Sequence, residues 1–178
     1  AYVDFGTQSC VALTARYDNL LVTQTFSKSR SLAGARLGFA IGDPALIADL
    51  NTVRNSVNPY NVNRMTQAAG IAAIRENDYF MGCCQTIRKN RTDTIVRLRA
   101  MGFTVLESQA NFVFTRCDAM PGAALYAALR RRGVLVRHFD TPALTDWLRI
   151  TIGTQDQMAA LLNTIAAILK EECPHANC

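Results

Sequence analysis

Near its start the chain crowds a lysine, two hydroxyls and an arginine into one short non-periodic segment. The segment reads Thr25-Phe26-Ser27-Lys28, then Leu32-Ala33-Gly34-Ala35-Arg36-Leu37-Gly38. It lies between the apolar run Leu20-Leu21-Val22 and a second run, Leu37-Gly38-Phe39-Ala40-Ile41-Gly42, which Asp43-Pro44 closes. Both runs read as strands, the first arriving from a buried sheet. A lysine at the end of a core strand is poorly placed for a solvated charge. Schiff-base formation with a carbonyl is the chemistry that uses such a lysine, and it calls for partial burial or cationic neighbours. Ser27, Thr25 and Arg36 offer the hydrogen bonds and positive charge that a phosphate accepts.

A lysine beside a phosphate site is the minimal pattern for pyridoxal 5′-phosphate. Thr25-x-Ser27-Lys28 with Leu32-Ala33-Gly34-x-Arg36-x-Gly38 resembles the cofactor-lysine signature of fold-type I aminotransferases, class I/II. Three further blocks narrow the likeness to histidinol-phosphate aminotransferases. Ala1-Tyr2-Val3-Asp4-Phe5 is similar to the end of that family's Asp-Glu-Ala-Tyr-x-Asp-Phe segment. Ala110-Asn111-Phe112-Val113-Phe114 resembles its Ala-Asn-Phe-Val strand, and Trp147-Leu148-Arg149-Ile150-Thr151-Ile152-Gly153-Thr154 its Leu-Arg-Ile-Thr-x-Gly-Thr segment. The four blocks keep the family order from Ala1 to Thr154.

The resemblance implies an α/β fold: the C-terminal part of the cofactor-binding large domain, with strands around the lysine, plus an α/β small C-terminal domain. It implies a subunit about twice this long, with the ring-nitrogen aspartate, a glycine-rich phosphate turn and a ring-stacking aromatic preceding Ala1. The expectation is therefore a C-terminal half that by itself is inactive. It also implies roles. Lys28 would carry the cofactor and move the proton between the substrate α-carbon and the cofactor. Tyr2 would donate to the ring oxygen, and Thr25, Ser27 and Arg36 would hold the phosphate. Arg149 would fork onto the substrate α-carboxylate, Arg137 would meet a substrate phosphate, and Asn111 would stand close to the substrate. Arg149 also draws notice unaided, because it interrupts the apolar strand Leu148-x-Ile150-x-Ile152, where a buried guanidinium needs an anion. His138, beside Arg137, reads as a surface group.

The implied reaction passes an amino group from histidinol phosphate to 2-oxoglutarate in histidine biosynthesis, in a cytoplasmic homodimer. Threonine-phosphate decarboxylase and other class I/II aminotransferases share the lysine motif and remain alternatives. So does a folded assembly domain without catalysis.

Composition excludes other classes. The chain has 178 residues, 49% hydrophobic and 19% charged, enough to bury a real core. It holds no apolar run of the roughly 18 residues that a membrane span needs. A net charge of +5 raises the question of a nucleic-acid partner. The cations are dispersed, however: Arg88, Lys89, Arg91, Arg97 and Arg99 along one helical stretch read as a solvated face, and Arg130-Arg131-Arg132 closes another helix before Gly133. No nucleic-acid-binding signature accompanies them. The six cysteines read as reduced thiols of the cytosol, and Cys173-Pro174-His175-Ala176-Asn177-Cys178 as a disordered tail rather than a metal site. No metal is expected.

The elements that must position these residues follow from periodicity. Asp43-Pro44 starts a short helix, Ala45 to Leu50 or slightly beyond, and Asn55 to Asn63 is a polar loop. Arg64 to Met101 is helical, with a break near Met81-Gly82. Beyond Gly102 come strands at Phe103–Val105, Asn111–Thr115, Val134–Val136 and Trp147–Ile152, with helices at Gly122–Arg132 and Gln155 to about Lys170. The expected organisation is a large-domain remnant (1–63), a long connecting helical segment (64–101), a small domain (102–172) and a tail (173–178).

Overall fold

A computed structural model describes residues 1–173, so most of the segment read as a disordered tail lies outside the described residues. The chain divides into two compact units, Ala1–Cys84 and Gln85–Cys178. The division falls inside a helix.

The first unit begins with two short 3-10 turns and then folds into a hairpin of β1 (Leu21–Thr25) and β2 (Gly38–Gly42), paired antiparallel from Leu21↔Gly42 to Thr25↔Gly38. β1 runs further than its apolar residues foretell, because Thr23, Gln24 and Thr25 find backbone partners on β2. The sheet of this unit has two strands, and Phe39 and Ile41 on β2 remain exposed. Helix α1 (Pro44–Val57) is capped by Asp43 Oδ1, which accepts from Ala45 N at 2.8 Å. It continues well past Leu50 through residues read as loop. Within this extension Thr52 and Ser56 donate their hydroxyls to the carbonyls of Ala48 and Thr52 four residues earlier.

Helix α2 (Arg64–Arg75) starts on an Asn63 cap, and α3 (Asn77–Ala100) follows after a single non-helical residue, Glu76. The break therefore falls before the position that Gly82 suggests. Gly82 lies inside α3 with open space around its Cα, where glycine costs only about 0.5–1 kcal/mol. The break at Glu76 serves a contact instead. Arg30 donates to Asn77 Oδ1 at 2.8 Å and to the Ala73 carbonyl at 3.4 Å, and its guanidinium lies 5.6 Å from the centre of the Phe80 ring. The loop after β1 is thereby tied to the junction of α2 and α3. Burial in this unit is otherwise sparse: Phe5, Phe26, Ala73 and Cys84 are its buried apolar side chains.

The second unit holds a four-stranded antiparallel sheet in the order β3-β4-β6-β5: Phe103–Val105, Phe112–Cys117, Leu148–Thr151 and Arg137–His138. Helices α4 (Gly122–Arg131) and α5 (Gln155–Glu172) and the end of α3 supply the buried partners of one face. Leu98, Val113, Leu125, Leu129, Leu148, Ile165 and Ile168 meet there. The burial pattern of β4 alternates, placing Val113, Thr115 and Cys117 in this core and Phe112, Phe114 and Arg116 on the other face. α5 opens with a capping box: Thr154 N donates to Gln157 Oε1 at 2.9 Å and Gln157 N to Thr154 Oγ1 at 3.3 Å.

Three expectations in this unit are corrected. Val134–Val136 is not a strand. Val134 N still donates to the Leu129 carbonyl in the turn that ends α4, where Gly133 holds φ +77°, so pairing starts only at Arg137. Arg91 is no solvated charge: it is 7% exposed and donates to the Ala110 carbonyl at 2.6 Å. Burial, with Arg88 adding repulsion, pulls its guanidinium below its ordinary pKa. His138 is not a surface group either. Its side chain is 9% exposed, with Nε2 2.7 Å from the Thr145 carbonyl, Nδ1 3.2 Å from Asp140 Oδ1 and the ring stacked on Tyr126.

No helix among the described residues is long and apolar enough to cross a membrane. Cys10, Cys83, Cys84, Cys117 and Cys173 take part in no disulfide among the described residues.

Two substitutions test these packings. A Cβ on Gly122 would lie 2.6–2.7 Å from the backbone of Thr145 and Asp146. Because backbone cannot rotate away, Gly122→Ala should cost roughly 1–3 kcal/mol, read as a lowered urea midpoint; an unchanged midpoint would show that the approach is not tight. Arg30→Ala removes both hydrogen bonds and the ring contact that tie down the loop. It should speed protease cleavage between Phe26 and Leu37 and leave the second unit's melting intact, whereas unchanged cleavage would show that Arg30 does not anchor the loop.

Candidate functional site

The hairpin loop carries the first cluster. Thr25 closes β1, and its Oγ1 lies 2.8 Å from Ser27 Oγ, accepts from Ser27 N at 3.1 Å and donates to the Leu37 carbonyl at 3.3 Å. Phe26, buried between them, packs edge-on against Phe39 at 5.7 Å. This apolar anchor turns Thr25 and Ser27 to one side, a local consequence of strand alternation continued into the turn. Lys28 follows directly. It is exposed, and its ammonium has no hydrogen bond or ion pair among the described residues. The partial burial expected of it is not supplied by this chain, because the turn projects beyond β1 and the hairpin has no further strand beside it.

The loop is strained at two places. Ser31 and Arg36 hold φ +55° and φ +54°, left-handed conformations that cost a non-glycine residue about 1–2 kcal/mol. Arg36 caps the short turn Ala33–Ala35, is exposed, and donates to the Ala33 carbonyl at 3.1 Å. Ser29, next to Lys28, is buried with an unpartnered hydroxyl. Tyr2 precedes the first 3-10 turn, where its carbonyl accepts from Phe5 N at 3.0 Å. The donor set here fits a phosphate monoester beside an amine: two hydroxyls within one hydrogen bond of each other, an exposed guanidinium and an unpaired lysine.

The second cluster lies on the open face of the second unit's sheet. Phe114 pairs with Arg149, and Arg149 pairs with Arg137, so one cross-strand row reads Phe114, Arg149, Arg137. Cross-strand partners share a face, and like charges placed directly opposite are unfavourable. Neither arginine has a carboxylate partner among the described residues. Arg149 is half-buried rather than buried as expected, because its strand faces the core only through Leu148 and Ile150. Its guanidinium lies 5.5 Å from the Phe112 ring centre, and that of Arg137 lies 5.4 Å from the Phe139 ring centre. Phe114 stacks on Trp147 at 5.0 Å and meets Phe139 edge-on at 5.9 Å. Asn111 stands one residue before β4, partly exposed, and its carbonyl accepts from Ile152 N at 2.9 Å.

Within each unit, then, the structure gathers residues that the sequence singles out: Thr25, Ser27, Lys28 and Arg36 in one loop, and Arg137 and Arg149 in one row. Sequence reasoning missed Arg30 and the rings beneath the arginines. The period-two alternation of Phe112, Phe114 and Arg116 could have revealed the latter.

Comparisons with known proteins show what the whole chain resembles. The family model "Aminotransferase class I and II" matches residues 1–165. The histidinol-phosphate aminotransferase of Chromohalobacter salexigens is 50% identical over 170 residues, covering 96% of this chain and 48% of the relative. The solved histidinol-phosphate aminotransferase of Sinorhizobium meliloti, in complex with pyridoxal-5′-phosphate, superposes with a TM-score of 0.77 at 26% identity, covering 94% of this chain and 48% of that one. An L-threonine-O-3-phosphate decarboxylase from Porphyromonas gingivalis shares the fold, with a TM-score of 0.77 at 23% identity over 95% of this chain and 53% of its own. The chain spans about half the length of the curated relatives it matches. Its α/β fold, its lysine loop and the extent of the model match all agree: the chain belongs to the class I and II aminotransferase family.

Proposed function

We propose that these residues form the lysine-bearing, C-terminal half of a pyridoxal-phosphate-dependent aminotransferase that acts on histidinol phosphate and 2-oxoglutarate. The first unit is then part of the cofactor-binding large domain and the second the small domain. The observation that carries the substrate reading is the pairing of Arg137 opposite Arg149 without a carboxylate on either. Two guanidiniums in one row are stabilised by an anionic ligand, and both proposed substrates bring anions: a phosphate in one, two carboxylates in the other. The 50% identity to a histidinol-phosphate aminotransferase supports the same reading.

The family resemblance supplies the roles. Thr25 and Ser27 would donate hydroxyls, and Arg36 its guanidinium, to the cofactor phosphate, and Tyr2 would donate to the ring oxygen. When bound, the cofactor supplies an electron sink that makes the substrate α-proton removable. Lys28 Nζ takes that proton, as the amine nearest the phosphate cradle in sequence and free of any competing ion pair. Arg149 forks onto the α-carboxylate of the acidic substrate, Arg137 meets the phosphate of the amino alcohol, and Asn111 lines the substrate's approach. The left-handed Arg36 suits this account, since an otherwise unfavourable backbone aims the guanidinium. The working form is a cytoplasmic homodimer of the full-length protein.

Variants of the full-length enzyme test the proposal. Lys28→Ala should lower kcat by at least about a thousandfold while the fold survives by circular dichroism; substantial turnover would remove Lys28 from the mechanism. Arg149→Lys replaces a planar fork with a point charge, and should raise the KM for 2-oxoglutarate about tenfold with cofactor affinity unchanged. Arg137→Ala should raise the KM for histidinol phosphate more than that for 2-oxoglutarate. Equal losses for cofactor and substrates would make both arginines structural. Carbon dioxide release from threonine phosphate, in place of amino transfer, would favour the decarboxylase alternative.

A further inference from the structure

The open face of the sheet carries more order than two arginines require. Arg149 lies over Phe112 at 5.5 Å, Arg137 over Phe139 at 5.4 Å, and Arg116 over Trp147 at 5.6 Å. Each guanidinium on this face rests on its own ring. The rings also hold one another, through the Phe114–Trp147 stack at 5.0 Å and an interplanar angle of 12°, and the Phe114–Phe139 edge contact at 5.9 Å. Arg116 differs from the other two in one respect: its Nε has a carboxylate, Asp118 Oδ1, at 3.5 Å. For Arg137 and Arg149 the ring is the only such support among the described residues.

That difference carries the inference. A long arginine side chain loses about 2 kcal/mol of rotamer freedom when it is fixed. An arginine that binds an anion usually has that freedom restricted beforehand by a carboxylate, but a carboxylate would also compete with the ligand. A ring face restricts the guanidinium without competing. Its quadrupole attracts the cation and leaves all the N–H donors in the guanidinium plane available.

We propose that Phe112 and Phe139 are positioning residues, setting the aim of Arg149 and Arg137 respectively towards the anionic groups of the two substrates. The proposal rests on the aminotransferase reading of the arginine row. Phe112 and Phe139 touch no reacting atom. Their effect falls on substrate binding and is divided by substrate, Phe112 acting on the carboxylate partner of Arg149 and Phe139 on the phosphate partner of Arg137.

The test uses the cofactor-loaded full-length enzyme. Phe139→Leu keeps apolar bulk and removes the ring face; it should raise the KM for histidinol phosphate about two- to tenfold and leave kcat within about twofold. The dissociation constant for inorganic phosphate, measured by calorimetry on the same enzyme, should weaken by the same factor. Phe112→Leu should do the same to the KM for 2-oxoglutarate. Phe112→Tyr and Phe139→Tyr keep the ring face and should restore wild-type values. Replacement of either ring by trifluorophenylalanine keeps its shape while weakening the ring's negative face, so it reports on a variant whose packing is intact. It should move KM in the same direction as leucine. Unchanged KM and phosphate affinity in the leucine and fluorinated variants would overturn the proposal, as would a loss that tyrosine does not restore. Arg149→Lys and Arg137→Ala run alongside: if these leave KM unchanged, the reading of the arginine row fails, whereas normal leucine variants beside impaired arginine variants defeat the ring proposal alone.

Discussion

The register between β4 and β6 is the constraint on which the second unit turns. Val113 meets Ile150 and Thr115 meets Leu148 on the core side, while Phe114 meets Arg149 on the open side. Because side chains alternate, a slip of one residue would send Arg149 into the core and expose Ile150 and Leu148. Burial of those apolar side chains, at about 1.5–3 kcal/mol each, therefore fixes where the guanidinium points. The core thereby sets the direction of Arg149. Arg91 reinforces the same arrangement from beneath, its hydrogen bond to the Ala110 carbonyl fixing the backbone immediately before Asn111 and Phe112.

The first unit rests on a thinner basis. Its hairpin buries Phe26 and leaves Phe39 and Ile41 in the open, and α1 contributes no buried residue. Two left-handed residues and one unpartnered buried hydroxyl lie within the stretch from Ser29 to Arg36. Such a loop is held less by a core than by specific ties. Arg30 is one, reaching Ala73 and Asn77, and the Thr25–Ser27 hydroxyl pair is another. Strain gathered around a lysine is common where backbone geometry serves a ligand.

Much of this was legible in the residues. Strong periodicity made the helices of the second unit and three of its four strands readable, and the lysine loop was found because hydroxyls, glycine and arginine punctuate two apolar runs. The failures have separate physical causes. Val134–Val136 looks like a strand by composition, but its first N–H is already committed to the turn after α4. Gly82 looks like a helix breaker but has open space around it, while the actual break at Glu76 accompanies a long-range contact with Arg30 that no local pattern announces. By residue type His138 and Arg91 belong on the surface, yet each is buried by partners distant in sequence, Tyr126 and Ala110. Lys28 is exposed, since burial depends on what packs beside the hairpin and not on the apolar run before it.

In the proposed function, Lys28 is the residue to which the cofactor would attach. Borohydride reduction of the full-length protein loaded with pyridoxal phosphate fixes the cofactor to whichever lysine holds it, and peptide mass spectrometry then finds the modified residue. The account predicts a stoichiometric pyridoxyl group on Lys28, with Lys89 and Lys170 unmodified. A label on another lysine, or none in a protein that binds the cofactor, would contradict it.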